Sequence, residues 1–213
     1  MVLIGLLQRG AGADLKIKII DKEPPKELSE PIRKLIAGKA LQLLDGDSPV
    51  YEFWLVSELP LQTKPASTAK ALDAIKQTTL LGAVSIAKSQ RDYRDDELAA
   101  GIYTMRFGLQ PTDGNHLGTS EFPYFALLIP AKLDPTVDGI STYKALTKAS
   151  SKETTTEHPV ILSLRPAAAE GGEPKLNEPA PEHKSVRVKV PAKAGEEKTS
   201  AIFELVFEGK GKK

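Results

Sequence analysis

The chain of 213 residues has no cysteine. That excludes disulfides, thiolate nucleophiles, iron–sulfur ligation and cysteine zinc sites together, along with lipid attachment through an N-terminal cysteine. Neither sign of charge is in surplus: 29 lysines and arginines stand against 28 aspartates and glutamates. With no net field to draw in polyanions, nucleic acid is not an expected partner. Aromatic residues make up 6% and include a single tryptophan, Trp54, which is little from which to build a stacking platform. No apolar run approaches the roughly 20 residues of a membrane span. Histidines are limited to His116, His158 and His183. No Gly-x-Ser-x-Gly elbow, phosphate-cradling glycine loop, dinucleotide fingerprint or His-Glu-x-x-His helix occurs. These absences point away from catalysis and from any cofactor.

What remains is a chain with 40% hydrophobic and 27% charged residues, ordinary for a soluble globular protein. Its length suits one core with insertions and can bury that core without disulfides or metals. The N-terminus carries a short apolar run, Val2 to Leu7, then Gln8-Arg9-Gly10 and the small residues Ala11 and Ala13. Residues 1–13 therefore read as the remnant of a signal peptide, cleaved before Asp14, although the charged leading region is missing and the run is short. The expected location is periplasmic, cell envelope or extracellular; the other reading of the run is an N-terminal strand or frayed end. The domain then covers 14–209, and Lys210, Lys212 and Lys213 make a small basic tail.

Along Asp14 to Ile19, apolar and charged residues alternate, the mark of a half-buried strand, until Glu23-Pro24-Pro25 stops it. Ser29 followed by Pro31 starts a short helix to about Ile36. The stretches Ala40–Leu44 and Val50–Val56 flank Asp45-Gly46-Asp47-Ser48-Pro49, a cluster of turn formers, and read as a hairpin. Ser67 to Lys76 is a weakly apolar helix candidate, placed at a sheet edge or in a loop. Further strands are expected at Thr79–Ala87, Ile102–Leu109, Phe122–Ile129, Val160–Leu164, Ser185–Val190 and Ala201–Phe207, with a third helix at Ser141–Ser150. The segment from Pro166 to Glu182 holds four prolines and Gly171-Gly172, and reads as a loop without regular structure. The expected fold is mostly β: an antiparallel β-sandwich of Greek-key, Ig-like or jelly-roll type, with about eight strands and short helical insertions.

Leu98-Ala99-Ala100-Gly101-Ile102-Tyr103 is the most diagnostic local stretch. Leucine, glycine three on and tyrosine two further match the tyrosine corner of Greek-key sandwiches, where the phenol folds back onto upstream backbone. With this corner, the chain resembles uncharacterised exported bacterial β-sandwich proteins over Leu98 to Pro130. That resemblance implies a fold and a location, and brings no activity.

Between the two strong strands lies the densest polar stretch, Gln110 to Glu121. Asp113, Asn115, His116 and Glu121 carry oxygen and imidazole donors able to coordinate a cation or ligand. Their spacing matches no standard calcium loop, and Asp113-Gly114-Asn115 equally suits a plain turn. Trp54 is a candidate for stacking on a sugar, or a core residue. His158 and His183 read as solvent-exposed. The expected function is a non-catalytic exported binding or structural module that contacts a partner protein, an envelope component or a glycan. The alternative is a metal-binding protein or metal-assisted enzyme centred on residues 110–121.

Overall fold

The computed structural model describes residues 15–91, 97–111, 121–138, 140, 142–153, 159–167, 172–180 and 183–209. The expected signal remnant, the basic tail, His158 and residues 112–120 lie outside them. Among the described residues no helix is long and apolar enough to cross a membrane.

The first strands are β1 (Leu15–Asp21), β2 (Lys39–Asp45), β3 (Ser48–Leu55), β4 (Leu59–Leu61) and β5 (Leu80–Ile86). A short ladder, β6 (Gln90–Arg91) with β7 (Glu97–Leu98), precedes β8 (Gly101–Leu109) and β9 (Tyr124–Pro130). The chain ends with β10 (Ile161–Pro166), β11 (Lys175–Ala180), β12 (His183–Ala194) and β13 (Glu197–Glu208). Ten of these strands form one antiparallel path in the order β1-β2-β3-β5-β8-β9-β10-β13-β12-β11, and β4 joins β12 in parallel. The chain is mostly β, as its alternating and β-branched stretches suggest. The sheet is a strongly curled mixed half-barrel, so the eleven strands belong to one sheet where two packed sheets were expected.

Register shows how the curl is filled. Successive side chains of a strand point to opposite faces. Leu41, Phe53, Val84 and Tyr103 are cross-strand neighbours on one face. Met105 and Phe107 continue that face to Leu128 and Ala126, and it then runs through Leu162, Leu164, Leu205 and Val186. This is the concave face: the Tyr51 hydroxyl on β3 donates across it to the Phe207 carbonyl on β13 (3.3 Å), with the two rings 5.6 Å apart. A 3-10 helix, Thr68–Ala74, packs on β13 and β10 with Ala71, Leu72 and Ile75 buried. It is part of the core, where its weak apolarity had suggested a sheet edge or a loop.

The convex face is also buried over much of its extent among the described residues, from Trp54 on β3 to Ile202 and Val206 on β13. Helix α1 (Glu30–Leu35) starts after Ser29 with a proline in its first turn, although Ser29 makes no side-chain capping bond. Helix α2 (Tyr143–Ser150) is capped by the Thr142 hydroxyl and lays Leu146 over Phe125, Leu127, Ile129 and Ile161. Strand β9 is therefore apolar on both faces, and its near-continuous hydrophobic run follows from that.

The Pro166 to Glu182 segment is more regular than its composition suggests. Strand β11 lies inside it and pairs with β12 from Lys175↔Arg187 to Ala180↔His183, with a register shift between Asn177 and Ala180. Pro179 is tolerated because β11 is the last strand of the sheet and the irregularity falls at that point, so no ladder hydrogen bond is lost inside a sheet.

Candidate functional site

The curl brings the two ends of the sheet together. β1 and β11 come within 8 Å, Cα to Cα, but no ladder joins them among the described residues. The outer edge of β12 is paired with β11 up to Arg187 and with β4 from Ala192, which leaves Val188 to Pro191 without a strand on that side among the described residues. A groove of about 380 Å³ sits at this seam. Its apolar walls come from Leu41, Phe53, Val56, Val188 and Val190, and Lys39, Glu173 and Lys189 are the charged residues that line it. Ile19, half exposed on the edge strand β1, also lines it. Such a groove lies within the size range of small-molecule pockets, and a mostly apolar lining with a few polar groups is their usual chemistry.

The corner residues are placed as follows. Leu98 is buried, and the Tyr103 hydroxyl donates to the Ala99 carbonyl four residues upstream at 2.9 Å. A Cβ on Gly101 would lie 3.3 Å from Cε2 of the Tyr103 ring, so glycine lets the phenol fold flat against the backbone. The hydrogen bond closes an arch at the start of β8, the strand that pairs with β9 from Tyr103↔Pro130 to Leu109↔Tyr124. In this chain the arch enters a strand of the single curled sheet.

Trp54 is fully buried. It shares with Glu52 the face opposite Phe53, its indole N–H donates to the Lys22 carbonyl (2.9 Å), and the Lys22 ammonium lies 5.8 Å from the ring centroid. The same ammonium binds both oxygens of the buried Glu52 at 2.8 Å, and Gln42 donates to one of them at 2.9 Å. A ring with no exposed face offers nothing to a sugar, so the stacking candidacy of Trp54 is withdrawn: packing on the convex side consumes it.

Of the four candidates around the 110–121 loop, Asp113, Asn115 and His116 lie outside the described residues. Glu121 is exposed and accepts from Arg165 Nη1 at 2.5 Å, while the Arg165 guanidinium lies 5.0 Å from the Phe122 ring centroid. No group of three or more metal-ligating side chains occurs among the described residues. His183 opens β12, half buried and opposite Ala180.

Two polar clusters escaped the sequence reading. Arg106 is almost wholly buried on the convex face of β8 and forms a fork with Asp134: Nε to Oδ2 at 2.8 Å and Nη2 to Oδ1 at 3.0 Å. Its remaining donors reach the carbonyls of Thr78, Thr136 and Val137. All five guanidinium N–H groups are therefore used, which makes this a structural rivet rather than a reactive centre. The one signal in the sequence was an arginine between Met105 and Phe107 on a strong strand. Tyr124, at the start of β9, stacks on Phe107 and donates to the Asp73 carboxylate on the 3-10 helix. Its phenol is pushed up to about 12, first by burial, then by the hydrogen bond and negative charge of Asp73. The seam itself had no local signal beyond Ile19 among the lysines of β1.

Comparison with protein-family models, with curated proteins and with solved structures returns no match.

Proposed function

We propose that this chain is a non-catalytic binding module and that the seam groove is its ligand site. Of the expected contacts, an envelope component with an apolar part suits the groove best; a glycan finds no exposed tryptophan. The observation that carries this reading is an apolar groove at two strand edges that have no partner among the described residues, β1 and the Val188 to Pro191 stretch of β12, with the half-exposed Ile19 in its lining. A single exposed isoleucine is ordinary, but Ile19 adjoins the groove and enlarges the apolar surface that a ligand could cover. The facing walls of the curl stand to each other as the two faces of a sandwich do, and the seam is where that sandwich opens. Export remains part of the proposal, on the strength of the N-terminal run alone. The metal alternative centred on residues 110–121 has less behind it, because Glu121 is engaged by Arg165.

Nile red, a neutral dye that brightens in apolar surroundings, tests the reading. The full chain should bind it saturably, one dye per chain, with native circular dichroism retained. Ile19→Glu should weaken that binding without unfolding the protein, since the side chain is half exposed. A chain that leaves the dye dark, or an Ile19→Glu variant that binds equally well, removes the groove as the ligand site.

A further inference from the structure

The outer edge of β12 carries two short strands in one line. β11 pairs with it antiparallel up to Lys175↔Arg187, and β4 pairs with it in parallel from Leu59↔Ala192. Between them, Val188, Lys189, Val190 and Pro191 have no strand beside them among the described residues, and all four line the groove. The gap is about 13 Å long, the rise of four residues of strand. Pro174 precedes β11 without a backbone N–H to donate, and the ladder stops short of it. On the far side stands β1, within 8 Å of β11. Where β11 lies, one strand fills the space between β12 and β1; past Pro174 the same line continues as the groove.

The pleat sorts the side chains along this edge. Val188 and Val190 point into the curl and are buried, while Lys189 between them points to the other face and is exposed. Leu41 and Phe53, cross-strand neighbours at the other end of the sheet, line the groove from the same concave side. Lys39 and Glu173, the remaining charges of the lining, offset each other. The groove therefore joins a strand edge, with its outward backbone N–H and C=O groups, to an apolar floor of no net charge.

Resting on the binding-module reading, we propose that the seam groove takes an extended polypeptide segment, which adds to β12 as a strand in the gap between β11 and β4. The bound segment continues two ladders that already run along that edge. Its residues opposite Val188 and Val190 point into the groove and are apolar; the residue opposite Lys189 points outward and is polar. A hydrocarbon chain also covers the floor, but it offers nothing to the backbone groups of the edge. Main-chain hydrogen bonds fix the register of the segment, and the inward side chains select it.

Two end-blocked peptides of alternating leucine and threonine, about six residues long, test this on the full chain. The second carries N-methyl groups on its inner amides, so it is no less apolar but cannot pair through them. The first should displace Nile red with one peptide per chain and slow amide exchange within Val188 to Val190. The methylated peptide should bind at least about tenfold more weakly, and Ile19→Glu should weaken the first peptide as it weakens the dye. Equal displacement by both peptides with β12 exchange unchanged overturns strand addition, and leaves the groove as an apolar site for small molecules or lipid. Failure of both to displace a dye that still binds saturably rules out a polypeptide occupant, again with the groove intact. A chain that binds neither dye nor peptide loses both readings.

Discussion

Arg106 and Asp134 meet as a two-pronged ion pair beneath the convex surface of the sheet, with each side chain 1% exposed. Thr104 adds a hydroxyl to the same carboxylate at 2.5 Å. The cluster ties the segment after β9 to β8 and sits beside the small apolar layer that α2 covers. A buried charge is tolerated here because every donor and both carboxylate oxygens are matched.

Breaking that match should be costly. Asp134→Ala strands a buried guanidinium, and a loss of about 3–5 kcal/mol is expected in urea unfolding. Replacing both charges, as in Arg106→Met/Asp134→Leu, should cost less than Asp134→Ala, because no charge is left without a partner. A single variant within about 1 kcal/mol of the parent would show that water or another group reaches the site.

Tyr103→Phe deletes only the hydroxyl that bonds Ala99. The expected loss is on the order of 1 kcal/mol, read from the denaturation midpoint at unchanged slope. A midpoint identical to that of the parent would mean that the arch holds without its hydrogen bond.

Stability should fall in strong alkali through Tyr124. Its folded pKa, about 12, lies above the ordinary value of 10.0, so the neutral phenol is favoured by folding. That contribution is complete below pH 10 and is lost as pH rises through about 12. Tyr143, also raised by burial, acts in the same direction. Phenolate absorbance against pH should show a late-ionising tyrosine that vanishes in Tyr124→Phe; a titration unchanged by that substitution would remove the assignment.

Gly82→Ala should be among the more damaging small substitutions. Gly82 has φ +151°, and a Cβ there would lie 2.1 Å from the Trp54 carbonyl oxygen. The glycine sits at a register shift between β5 and β8, so neither strand can move aside without loss of pairing. More than about 1 kcal/mol should be lost in thermal or urea unfolding; a neutral result would mean that β3 and β5 can separate enough to admit a methyl group.

The lone tryptophan reports on its own burial. Trp54 fluorescence should be that of a shielded indole, and mono- or oligosaccharides should leave it unchanged. A red-shifted, sugar-quenched emission would return the ring to the surface.

Much of the strand content was legible because it is written locally. Alternation marked β1, turn formers marked the β2–β3 hairpin, and Leu98, Gly101 and Tyr103 marked the arch that opens β8. Strand β11 was hidden because prolines and glycines lower local propensity, while an edge position with a register shift removes their penalty. Propensity could not place the 3-10 helix either, since its burial depends on where β10 and β13 stand.

The sequence by itself determined that this is a mostly-β chain without cysteine chemistry, with two strands joined by a polar loop between Leu98 and Pro130, the second of them nearly continuously apolar. Those properties rest on composition and on neighbours a few residues apart. Only the tertiary structure decided that the strands share one curled sheet, that Trp54 is covered, that Arg106 finds Asp134, and that Lys39 and Lys189 border one groove. Each of these joins residues far apart in the chain. Their proximity is set by how the sheet twists and closes on its core, and no short window of sequence carries that geometry.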